Sequence, residues 1–412
     1  MMDIQDKRLD EYAALLVRTG VNIQKGQTLI LSCPVDSAYF ARKCAAAAYE
    51  AGCREVVMRW RDDALARMRF LSASEDVFDT LPAWEKAFYT DYAREGAAYL
   101  AISAGDPQNL LGVDPGRIRR ATQARGKGLS EFYEAQMGNR IPWCIGALPI
   151  PAWAEKVFPD LSGEAAMDAL WEKIFAAVRI TGRGDAVEEW KAHLARLNER
   201  ITKLNDYRFV SLHYKNALGT DFTVGLPEGH LWQGGADHTP AGVPFVANIP
   251  TEEIFTAPDR ESGNGVLCAS LPFVCNGHVV RGLRFAVKAG KIIAVHADEG
   301  EEIVRDAIAV DEGASYFGEL ALVPYDSPIS NQKILYYHTL FDENAACHVA
   351  FGKAYPCLIG GENMSTEEQK AHGLNDSITH EDFMIGTPDL SIDGYTHDGR
   401  VIPVFRDGNF AL

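Results

Sequence analysis

The sequence predicts an open, mostly parallel α/β domain at the amino terminus, followed by a β-rich α+β domain. Three observations lead there. The first half alternates short apolar runs with helical patterns, the rhythm of βαβ units. After Asp206 the texture changes to short strand signals and hairpins. The chain also has 412 residues, more than one hydrophobic core usually organises. The expected division is 1–206, an α/β scaffold domain with bridging helices, and 207–412, the α+β domain.

In chain order, residues 9–17 carry apolar side chains at helical spacing, with Gly20 as the stop. Residues 28–33 form a short apolar run ending at Pro34, which suits a buried parallel strand. An Ala-rich helix over 37–49 closes at Gly52, and residues 55–60 are the next strand. Further strands are expected at 98–102 and near 143–145. The turn after the first strand, Pro34-Val35-Asp36-Ser37, has no glycine-rich loop, and no P-loop pattern occurs, so this domain reads as scaffold rather than nucleotide site. Helical patterns at 164–178 and 186–204 are separated by Thr181-Gly182-Arg183-Gly184-Asp185, with Asp185 placed to cap the second. Beyond them come strand signals at 209–214, 221–224 and 265–268. A hairpin is expected from 279–287 and 291–295, turning at Ala289-Gly290.

A formal net charge of −17 excludes a non-specific nucleic-acid binder, which needs a basic footprint. No apolar run approaches a membrane span, and the start, Met1 to Lys7, has no apolar signal core, so the expectation is a cytoplasmic protein without a membrane partner. The 8 cysteines include no C-x-x-C pair and sit in apolar or Ala-rich surroundings, as buried free thiols do.

The chemistry concentrates late in the chain. Residues 342–355 set Glu343, His348 and Tyr355 among small side chains. Carboxylate and neutral imidazole are ligands for zinc-like ions, and a Tyr hydroxyl stabilises an oxyanion. In the block 375–386, a strand would turn His380 and Asp382 to one face. Glu252 and Glu253 follow Pro250, and Glu319 lies in an otherwise apolar stretch where an unpaired carboxylate is costly to bury. Each has a bland alternative: a surface strand position for Glu253, a helix end for Glu319, hydrogen-bonded core histidines, a packing tyrosine. Spacing alone does not bring the four segments together.

Together they resemble the signature blocks of the thermophilic aminopeptidase family, the M29 metallopeptidases. The matching stretches are Asn248-Ile249-Pro250-Thr251-Glu252-Glu253, Gly318-Glu319, 331–348, 377–386 and 400–408. The resemblance implies two divalent metal ions per subunit (zinc, cobalt or manganese), held by Glu253, Glu319, His348, His380 and Asp382, with Glu343 a further member. It implies a catalytic role for Tyr355. It also implies a homodimer enclosing its active sites, with short peptides bearing a free amino terminus as substrates.

Two ions about 4 Å apart bring a shared water's pKa towards roughly 7. Glu319 or Glu343 would carry the proton to the leaving amine, and Glu252 is a candidate partner for the peptide amine. The alternatives are a metal-dependent hydrolase of another amide or ester, and a two-domain binding protein with a structural metal.

Overall fold

The apolar run that begins at Thr28 folds as strand β1 (Thr28–Pro34), joined by β2 (Glu55–Arg61), β3 (Ala98–Ser103) and β4 (Trp143–Ala147). The order is β2-β1-β3-β4 and every pair is parallel, as expected from the sequence. Leu29, Ile30, Leu31 and Cys33 of β1 are all buried, the pattern of a strand covered on both faces. Between β1 and β2 runs an Ala-rich helix, Ala38–Glu50, and Gly52 at φ +89° lets the chain turn out of it. The helices expected at 164–178 and 186–204 are Gly163–Ala177 and Ala186–Tyr207.

This computed structural model describes residues 5–106, 109–275 and 277–412. The start of the amino-terminal segment read above for a signal core, Met1 to Ile4, lies outside them. The chain divides into two compact units, residues 1–192 with 236–250, and 193–235 with 251–412. That division falls inside the helix Ala186–Tyr207, whereas the change of sequence texture falls near Asp206.

The second unit is built on two larger sheets. One has eight strands in the order Lys291–His296, Arg284–Lys288, Asn264–Cys268, Asp221–Gly225, Phe209–Lys215, Ser391–Thr396, Val401–Arg406, Asn409–Phe410. The other has five: His380–Met384, His348–Gly352, Phe317–Leu322, Ile254–Thr256 and Gln233–Gly234. All pairings in both are antiparallel.

The hairpin at Ala289-Gly290 is present, both residues having positive φ (+48° and +75°), as a tight two-residue turn requires. Its first arm is shorter than expected. His278–Val280 pairs with Phe273–Cys275 instead, and Gly282 at φ +64° redirects the chain before Arg284.

The core of this unit is aromatic. Phe383 stands 5.2 Å from Phe285 and 6.5 Å from both Phe317 and Phe351, measured between ring centroids. Phe317, Phe351 and Phe383 come from three adjacent strands of the five-stranded sheet. They occupy one face of it; the opposite face carries a different kind of residue.

Candidate metal centre

Cross-strand register assembles the charged face. Glu319 pairs with Ala350, and Ala350 pairs with Asp382, so a row of three crosses the Phe317–Leu322, His348–Gly352 and His380–Met384 strands. The middle position is alanine, which leaves room for both carboxylates. His348 shares the face of Ala350 by period-two alternation, and His380 shares that of Asp382. The expectation that His380 and Asp382 point together is met, because their segment is a strand.

One irregularity makes the arrangement possible. Phe317 pairs with Phe351 but Glu319 pairs with Ala350, so Gly318 is an extra residue in its strand, a β-bulge. Without it, Phe317 and Glu319, two apart, would share a face. The bulge sends the ring into the core and the carboxylate to the other side. Gly318 is required there, since a Cβ would lie 2.3 Å from the Lys353 carbonyl oxygen and 2.5 Å from that of Gly352. The helix-end reading of Glu319 is thereby replaced by a fully buried strand.

The side chains converge closely. His348 Nε2 lies 3.3 Å from Glu253 Oε2, 3.4 Å from Glu319 Oε1 and 4.0 Å from Asp382 Oδ1. His380 Nε2 lies 3.5 Å from Glu319 Oε2 and 3.6 Å from Asp382 Oδ1. Two groups of potential ligand atoms result, Glu253–Glu319–His348 and Glu319–His380–Asp382, each within 4.8 Å, with Glu319 in both. The other ring nitrogens are tied to backbone: His380 Nδ1 to the Lys353 carbonyl at 2.7 Å, and His348 Nδ1 to that of Ala346 at 3.2 Å. Such contacts fix the ring so that Nε2 faces the cluster, as for histidines that bind metal.

The electrostatics report crowded charge. Burial raises the Glu319 carboxyl above its ordinary value despite the opposing His348 and His380. Burial, then the charges of Glu253 and Asp382, raise Glu343 well above its own. Burial opposes protonation of both imidazoles, yet the carboxylates prevail. His348 is raised well above the usual value by Glu253 and Glu319, and His380 to about 10 by Asp382 and Glu319. Burial would raise Asp382 too, but His380 and then His348 hold it below the ordinary aspartate value.

A face of this kind needs positive charge. Divalent cations would supply it while leaving the imidazoles neutral, and the oxygen and nitrogen donors suit zinc, cobalt or manganese. Asp382 Oδ1 is buried with no hydrogen-bond partner, its nearest nitrogen being the 3.6 Å contact to His380, which also fits a cation ligand. The residues fit the metal.

Tyr355 stands beside the cluster, its ring 5.4 Å from His380 and 5.6 Å from Phe255. Burial raises its hydroxyl above the ordinary value, and the charges of Glu319, Asp382, Glu253 and Glu343 add to this, so it stays a proton donor. Glu252 is 3% exposed, and its Oε2 lies 3.8 Å from Nε2 of His193, outside the two ligand groups. Cys347, in the middle of the richest stretch, is inert, its thiol pushed up to about 12 by burial.

Sequence reasoning passed over Asp342 and Asn344. Asp342 accepts the backbone N–H groups of Tyr336 (2.7 Å) and His338 (2.9 Å), and Asn344 accepts that of Glu252 (2.8 Å). Only their partners distinguish them from other polar residues, and those partners are backbone atoms with no signal of their own.

Comparison with known proteins extends over the whole chain. A family described as thermophilic metalloprotease (M29) matches residues 5–410. Aminopeptidase 2 from Geobacillus stearothermophilus is 44% identical over 412 residues, covering 100% of this chain and 99% of that protein. The structure of wild-type AmpT from Thermus thermophilus superposes with a TM-score of 0.91 at 40% identity, covering 98% of this chain and 99% of the other. A dioxygenase acting on 2,5-dihydroxypyridine, from Pseudomonas putida, shares the fold alone, at a TM-score of 0.54 and 12% identity over 100% of this chain and 99% of that one. The fold therefore leaves the chemistry to the side chains.

Proposed function

The chain belongs to the thermophilic metalloprotease (M29) family, and from that premise we propose that it is an aminopeptidase using two divalent metal ions. It would release amino-terminal residues from short peptides. The observation that carries this reading is the two ligand groups sharing Glu319. Glu253 and His348 would hold one ion and His380 and Asp382 the other, with Glu319 common to both groups and the Glu343 carboxylate adding its charge to theirs. Four carboxylates with two neutral imidazoles balance two dications, which favours two ions over one.

When bound, such ions polarise a carbonyl and bring the pKa of a water to roughly 7. The chain's own residues do the rest. Tyr355, kept protonated, donates its O–H to the oxyanion that forms as the first peptide bond is attacked. Glu319 or Glu343 would take a proton from the water and deliver it to the leaving amine, and Glu343, outside both ligand groups yet within reach of their charges, is the one not also needed as a ligand. The strained demand for charge on this face also keeps zinc, cobalt and manganese all admissible, since no soft ligand selects among them.

A homodimer is part of the same reading. The helix Asp63–Ser72 buries none of its residues and exposes Leu65, Met68 and Leu71, spaced by three along one side. An apolar stripe of this sort is suited to a second copy. Among the described residues, no helix is long and apolar enough to cross a membrane, and the eight cysteines are free and buried, which suits a reducing compartment such as the cytoplasm.

The test uses peptides with free and with acetylated amino termini. Release of amino acids only from the free peptides, lost on dialysis against chelator and restored by zinc, cobalt or manganese, is expected. Equal cleavage of acetylated peptides would favour the alternative, a metal-dependent hydrolase of other amides or esters. Unfolding on chelation with no turnover beforehand would point to a structural metal.

A further inference from the structure

Glu252 and Glu253 are adjacent carboxylates with different partners. Glu253 meets His348 at 3.3 Å, and Glu252 meets His193 at 3.8 Å. In an extended segment a slip of one residue would exchange them and put the wrong carboxylate in the cluster. Something must fix the register just ahead of the short strand Ile254–Thr256.

His193 Nε2 holds the Thr251 carbonyl at 2.8 Å, and the contact at Glu252 itself comes from Asn344, which is 0% exposed. Its Oδ1 accepts the Glu252 N–H at 2.8 Å, and because only the carbonyl end can accept, the amide is oriented by that bond. Its Nδ2 then donates to the Leu340 carbonyl at 3.2 Å and lies 3.5 Å from Glu343 Oε1. One side chain thus ties the backbone before Glu253 to the turn that carries Glu343.

We propose that Asn344 is a positioning residue, a clamp that selects Glu253 over Glu252 for the metal cluster and holds it against Glu343. The proposal rests on the reading that this cluster binds divalent cations. Loss of the clamp frees the Glu252 N–H and loosens Glu253, so the first effect is on cation affinity. Groups that orient metal ligands typically contribute about 10–100-fold in affinity.

The test is titration of the metal-free protein with cobalt(II), following the visible absorption bands and the dissociation constant. Asn344→Ala should weaken binding about 10–100-fold and shift the bands, because the ligand geometry changes. Asn344→Asp keeps an acceptor for the Glu252 N–H but sets an oxygen where Nδ2 faced the Leu340 carbonyl and Glu343, so it too should shift the cobalt bands.

Asn216→Ala is the control. Asn216 is a similarly buried amide, with Nδ2 donating to the Ile385 carbonyl and Oδ1 accepting the Thr220 N–H, and it touches no proposed ligand. It should lower the thermal midpoint and leave the cobalt spectrum unchanged. Parent-like affinity and bands in Asn344→Ala overturn the clamp, leaving Asn344 a packing residue. Should that variant not fold, parent-like affinity and bands in Asn344→Asp overturn it equally. No cobalt uptake by the parent protein would instead sink the metal reading itself.

Discussion

The two faces of the five-stranded sheet use the same strands for opposite purposes. On one face Phe317, Phe351 and Phe383 pack their rings, all no more than 2% exposed. On the other, Glu319, His348, His380 and Asp382 crowd ionisable groups into a space whose most buried member, His348, is 1% exposed. The first face lowers the free energy of the folded state by removing apolar surface from water. The second raises it, because burial and repulsion together resist ionised carboxylates. Alternation along a strand lets one face bear the cost of the other. A rigid aromatic layer directly beneath the charged row holds its ligands in place at fixed spacing.

The comparison can be broken most directly by exchanging what each face loses. Phe383→Ala should destabilise the fold by about 3–5 kcal/mol, as large-to-small changes in aromatic cores do. Glu319→Gln should lower turnover by roughly 1,000-fold and reduce metal content, while the metal-free protein keeps its stability or gains some from the lost charge. Denaturant unfolding of the metal-free forms, beside turnover and metal analysis, checks both. If Glu319→Gln unfolds as readily as Phe383→Ala, the division of labour is wrong.

A smaller effect sharpens the boundary between the faces. Tyr355 touches both Phe255 and His380, so packing and chemistry compete as explanations. Tyr355→Phe keeps the ring and should lower turnover by roughly 100-fold at unchanged metal content and thermal midpoint. Normal turnover would return the residue to packing.

The smallest effect concerns Asp311, which holds the segment entering the Asp382 strand by accepting from Ile378 N (2.7 Å) and Ser377 Oγ (2.9 Å). Burial works against its charge, yet those bonds and that from the Ala314 N–H keep its carboxyl below the ordinary value of 3.8. A depressed carboxyl contributes stability that is present above its unfolded pKa and lost as pH falls through the folded one. Asp311→Asn should therefore lower the thermal midpoint at neutral pH, with the gap closing below about pH 3.8. A gap that does not shrink as pH falls below 3.8 would mean the contribution is not from ionisation.

Much of this was legible beforehand in particular residues. The run from Thr28 to Cys33 reads as a buried parallel strand because both faces need apolar side chains, and it is one. Ala289-Gly290 reads as a turn because its backbone must adopt positive φ. The ligand candidates were legible as residue types, and family resemblance grouped them. The Gly318 bulge was not: a glycine before a glutamate has many explanations, and only the neighbouring carbonyls of Gly352 and Lys353 reveal why no side chain is tolerated. Nor was Asn375, which matches a glycosylation sequon, yet is buried with its amide donating to the carbonyls of Gly313 and Gly352.

By itself the sequence determined the things that depend on near neighbours along the chain. These are the alternation placing His380 with Asp382, the helical and strand periods, the turn residues, and the supply of carboxylates and imidazoles. Family resemblance picked Glu253 over Glu252, while tertiary structure alone decided that Glu319 and Asp382 flank Ala350 and that the charge of Glu343 acts on them both. The reason is physical. Local order follows from backbone sterics and period, which act over a few residues, whereas a site made from positions 253 to 382 depends on cross-strand register and on backbone hydrogen bonds made by side chains such as Asn344.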